Sequence, residues 1–117
     1  MARFEARELK SYVDSISGDD LTKGSVYFLV NFTDAEMFIP TMNPVVYIGE
    51  DLEPGDEHQV YFQDVDSFNS GFRYGDDSAV EFARFERMSK NALGHVFEFE
   101  QALNELLSCS LRRQGKR

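Results

Sequence analysis

Apolar residues in the first half of the chain recur with a period of two. Between Ser25 and Thr33, Tyr27, Leu29 and Asn31 fall on one side, and Val26, Phe28, Val30 and Phe32 on the other. That is the pattern of a strand on a pleated surface. Val45-Val46-Tyr47-Ile48-Gly49 predicts a second strand, and Val60-Tyr61-Phe62, within His58 to Val65, a third. Asp34-Ala35-Glu36 makes a compact connection to Met37-Phe38-Ile39, after which Pro40 and Pro44 withhold two backbone donors. This part reads as a hairpin with an irregular edge. Glu50 to His58 is polar and carries the Pro54-Gly55 turn signal, so it is a surface loop. None of these connections has the dozen or so residues that a parallel crossover needs, which favours an antiparallel meander.

Helical spacing takes over elsewhere. Leu9, Tyr12, Val13 and Ile16 fit either one helical face or an extended arm, and Ser17 to Gly24 reads as one turn of helix or a structured turn. Asp66 to Gly71 reads as a turn or one helical turn. Ser78-Ala79-Val80-Glu81 has the spacing of a capping box, predicting a helix from Ala79 to about Met88 on which Phe82, Phe85 and Met88 recur every third residue. Val80 and Phe82 match a strand as well. His95-Val96-Phe97-Glu98 suits a short strand. From Phe99 onward Ala102, Leu103, Leu106, Leu107 and Ser110 form an apolar stripe opposite Gln101, Asn104, Glu105 and Ser108. Glu98 and Glu100 near the start of this helix and Arg112 and Arg113 near its end suit its dipole. The expected fold is therefore α+β: a single domain over residues 1–117, with an antiparallel curled sheet, a meander or partly open barrel, packed by a C-terminal amphipathic helix. Residues 112–117 are expected to form a basic tail.

Composition adds limits rather than elements. With 117 residues there is room for one core, and eleven Phe and five Tyr are enough to fill it. Cys109 is the single cysteine, so neither an intramolecular disulfide nor a thiolate cluster is available. A reducing cytoplasm is the expected location. The N-terminus lacks the apolar stretch of an export signal, and the longest apolar run, Val26 to Val30, is far short of a membrane span.

Charge changes the picture more. Twelve Lys and Arg oppose 21 Asp and Glu, for a net charge of −9. Not one cation lies between Gly24 and Phe72, a stretch of 49 residues that holds nine acids. A surface built from it repels phosphates, so nucleic acid is an unfavoured partner, and no membrane association is expected. The four cations among Arg112, Arg113, Lys116 and Arg117 suit a helix end or a solvated tail.

Candidate chemistry is sparse. Asp51, Glu53, Asp56, Glu57 and His58, with Asp64 and Asp66, cluster carboxylates of the kind hard cations take. They lack the glycine-punctuated calcium loop, and an acidic Pro-Gly loop reads first as solvated surface. His58, His95 and Cys109 are too scattered for zinc. No serine-hydrolase elbow or phosphate-cradling glycine loop is present, so neither metal nor cofactor is implied. Arg73 is a candidate anion clamp. No catalytic residue is singled out.

These features favour a small acidic, non-catalytic protein-interaction module, of the inhibitor or immunity kind, that meets a basic protein partner by charge complementarity. Its candidate binding residues are Asp51, Glu53, Asp56, Glu57, His58, Asp64, Asp66 and Arg73. The alternative is a small-molecule-binding or metal-assisted enzyme with a pocket at the mouth of the sheet, using His58 or His95 with Asp64 or Asp66. Homo-oligomerisation is a third expectation, should Tyr27, Tyr47 and Tyr61 form an outer aromatic patch.

Overall fold

The computed structural model describes residues 14–115. Five strands, β1 (Val26–Phe32), β2 (Pro40–Glu50), β3 (Gln59–Asp64), β4 (Phe85–Ser89) and β5 (Val96–Phe97), form one open antiparallel sheet in the order β4-β3-β2-β1-β5. The helices are α1 (Val65–Asn69), α2 (Ala79–Phe82) and α3 (Phe99–Gly115), and a 3₁₀ turn at Gly18–Asp20 is capped by Ser17. The α+β class, the meander and the C-terminal helix are as the pattern predicts. The sheet is open rather than closed into a barrel.

Both faces of the sheet are covered. One carries Tyr27, Leu29, Val45, Tyr47, Val60, Phe62 and Val96, all buried, closed over by Ile16 and Leu93 with Leu21 and Met88 at the margin. On the other face Phe28, Val30, Phe32 and Phe97 pack against Ala102 and Leu106 of α3. Farther along that face the segment from α1 to Tyr74 lies over β3 and β4. Tyr74 meets Tyr61 and Phe85 edge to face, with ring centroids 5.4 and 5.1 Å apart.

β2 runs unbroken through both prolines, and its register shows how. The bonds Tyr47 N–H to Ser25 O and Thr33 N–H to Ile39 O fix the alternation along β1 and β2. Pro40 and Pro44, opposite Phe32 and Phe28, then fall at positions whose nitrogens face away from β1. On that side β3 pairs with β2 only from Val45 onward, so no ladder bond is lost.

Four expectations give way. The predicted helix from Ala79 to Met88 is only one turn, α2, and Ser78 makes no capping bond with its side chain. Phe85 and Met88 belong instead to β4, opposite Gln63 and Val60. On α3, Ser108 is buried with Ala102 and Cys109, whereas Ser110 is exposed, so the stripe is rotated from the predicted one. Tyr27, Tyr47 and Tyr61 are buried, which removes the outer aromatic patch. Arg112 and Arg113 lie within α3, and Arg112 donates to Met37 O. Leu9, Tyr12 and Val13 lie outside the described residues.

Candidate functional site

The loop between β2 and β3, residues 51–58, is where most of the candidate residues lie, and it is firmly built. Asp51 and His58 at its two ends both take left-handed backbone, with φ of 54° and 53°. Asp51 N–H donates to Gln59 O at 2.8 Å, and Asp51 Oδ1 accepts Gln59 N–H at 2.9 Å, closing the neck. Within the loop, Asp56 takes the Glu53 N–H and the Tyr61 hydroxyl, and pairs with Arg87 at 3.3 Å. The Tyr61 hydrogen bond holds the Asp56 carboxyl below its ordinary value. Glu53 accepts the hydroxyl of Tyr74, which pushes that phenol up to about 12. Two tyrosines rooted under the sheet's second face thus pin two carboxylates, while Glu57 stays exposed.

Beyond the loop, the candidate residues separate. Asp64 caps α1: its carboxylate accepts Ser67 N–H, Ser67 Oγ–H and Arg84 N–H at 2.9, 2.6 and 2.7 Å. Partial burial works to raise the Asp64 pKa, but those bonds outweigh it and the net direction is down. Asp66 is exposed in the first turn of α1. His58 and Asp64 stand at opposite ends of β3, about 20 Å apart at strand rise, so they do not converge as acid and base. His58 faces Glu50 at 3.9 Å, and His95 lies across the sheet near Glu105 and Ser108. Among the described residues no three His, Cys, Asp or Glu are grouped to hold a metal ion.

Arg73 leads to a feature the sequence did not flag. It lines a cavity of about 390 Å³ together with Lys23, Gly24, Tyr47, Ile48, Leu52, Gln63, Phe68 and Tyr74. Its guanidinium sits 3.9 Å over the Phe68 ring, and Nη1 donates to the Phe68 and Phe72 carbonyls, both at 2.8 Å. Comparison of the chain with family models, curated proteins and solved structures finds no match. The cavity is therefore read from its own chemistry.

Gln63 is 0% exposed, and its Nε2 donates to Ser67 Oγ and Phe72 O, both at 2.9 Å. Its Oε1 is buried and has no hydrogen-bond partner among the described residues. Exchanging O and N does not help, because it would turn an acceptor toward the Phe72 carbonyl. An orphaned buried acceptor costs roughly 1–3 kcal/mol. Ser108 Oγ is also without a partner among the described residues, but a helical serine regains a partner by rotating toward the carbonyl one turn back. Gln63 has no such rotation. A larger depression, about 600 Å³ beside Ser15 to Asp19, is less specific, since its Lys90 is already shared between Asp19 and Glu50 at 3.2 and 3.4 Å. Among the described residues, no helix is long and apolar enough to cross a membrane.

Proposed function

We propose that the chain is a non-catalytic protein-interaction module that engages a basic surface of another protein through the acidic end of its sheet, Glu50 to Glu57. The observation that carries this reading is the pinned loop. Tyrosine hydroxyls hold Glu53 and Asp56, and left-handed residues frame the neck. A loop ordered before encounter has little conformational entropy left to lose on binding. Its excess of carboxylates over the nearby Arg87 and Lys90 supplies the steering field.

The experiment removes the charge without the scaffold. Asp51→Asn keeps the Oδ1 acceptor and tolerates left-handed backbone, Glu53→Gln keeps an acceptor for Tyr74, and Glu57→Gln alters an exposed position. The triple variant moves the net charge from −9 to −6. Tagged wild-type protein should capture from its own cells a protein that high salt releases, identified by native mass spectrometry, and the triple variant should fail to capture it. Equal capture by the two at low salt excludes the loop as the contact.

A further inference from the structure

We infer that the cavity over Gln63 binds a small planar aromatic anion bearing a hydrogen-bond donor. The donor meets Gln63 Oε1, the ring lies between Phe68 and Tyr74 on one side and Leu52 on the other, and the acid group meets Lys23 and Arg73.

Three independent features converge. The first is the amide oxygen of Gln63, a fully buried residue among those lining the cavity, which has no partner among the described residues. Its amide nitrogen is spent on Ser67 and Phe72, so what satisfies the wall is a donor. The second is charge. Lys23 and Arg73 are the last cation before the 49-residue cation-free stretch and the first one after it. Folding brings both to this one cavity, whose lining carries no carboxylate among the described residues although acids outnumber cations 21 to 12 in the chain. Arg73 is fixed through Nη1 alone, and its Nε and Nη2 make no hydrogen bond to a described residue, which leaves a fork for an acid group. The third is shape. Tyr74 is held on two ring edges and by Glu53, and Phe68 is held under the Arg73 guanidinium, so the aromatic wall stands ready before a ligand arrives. About 390 Å³ suits a compound of one or two rings.

The test titrates the full chain, followed by backbone amide NMR, with paired acids of similar shape. Indoleacetate and para-hydroxyphenylacetate carry a donor, and naphthylacetate and para-tolylacetate do not. The donor-bearing acids should bind and shift the signals of Gly24, Gln63, Arg73 and Tyr74, and their donor-free counterparts should bind about fivefold to tenfold more weakly. Arg73→Gln and Lys23→Gln should each weaken all four by up to about fivefold, as an exposed ion pair does. Gln63→Met should erase the difference within each pair, and if that variant does not fold, the wild-type comparison still decides. Equal affinity within both pairs, shifts confined to another part of the fold, or no binding by any of the four at millimolar concentration overturns the proposal.

Discussion

Replacing Asp64 separates a structural carboxylate from a binding one. In the fold it ties three pieces of chain together: the end of β3, the first turn of α1 and the approach to β4. Asp64→Ala removes the helix cap, typically worth about 1 kcal/mol. It also removes the charge-assisted bond from Arg84 N–H, worth about 1.5–3 kcal/mol when well shielded. Asp64 is only half-buried, so water competes for these groups and the lower end applies. The expected loss is about 2–3 kcal/mol, or roughly 10 °C in Tm for a domain of this size. Asp64→Asn keeps one acceptor but turns an amide toward Ser67 N–H, and should lose about half as much. Urea unfolding followed by far-UV circular dichroism measures both, with an unchanged m-value as the sign that only stability moved. The pH dependence has a definite sign. A carboxyl held below its ordinary 3.8 contributes stability that is present above that value and is lost as pH falls through the depressed one. The gap between wild type and Asp64→Ala should therefore close in acid. A loss under about 0.5 kcal/mol at neutral pH would refute the assignment and return Asp64 to the pool of binding residues.

Two further outcomes follow from the same contacts. Phe62, 0% exposed and packed against Tyr47 and Tyr27 at 5.7 and 6.5 Å between ring centroids, should cost about 3–5 kcal/mol when changed to Ala, measured by urea unfolding. Tyr74, raised to about 12, should titrate well above an ordinary phenol by NMR of the phenol carbon, and Glu53→Gln should bring it back toward 10. Because its folded value is raised, the Tyr74 to Glu53 contribution is complete below pH 10 and disappears as pH climbs from 10 to about 12.

The sequence was informative where neighbours along the chain decide the outcome, and silent where the deciding contacts are distant. The alternation in Val26 to Phe32 and the run Val60-Tyr61-Phe62 predict strands because both sheet faces are covered and each side needs apolar groups. The helix from Phe99 shows for the same local reason. Phe82, Phe85 and Met88 mimic a helical face, but Phe85 and Met88 point to opposite faces of β4, whose ladder with β3 overrides the local period. The Asp64 cap left a readable signal, an Asp three residues before Ser67 at the end of a strand, and the acidity of the region masked it. Gln63 left none, since one polar residue in a strand reads as outward-facing. The meeting of Lys23 with Arg73 depends on the whole sheet between them.

The half of β2 that β3 leaves uncovered is insulated by its own composition. Of the backbone nitrogens in residues 40–44, those of Pro40, Met42 and Pro44 are directed to the open side, and two of these three carry no hydrogen. A stray strand from another molecule, which needs a regular row of donors to zip onto an exposed border, finds one. The prolines that make this hairpin look irregular also keep crowded copies of the chain from joining sheet to sheet along β2, with no charged side chain in the segment to do it for them.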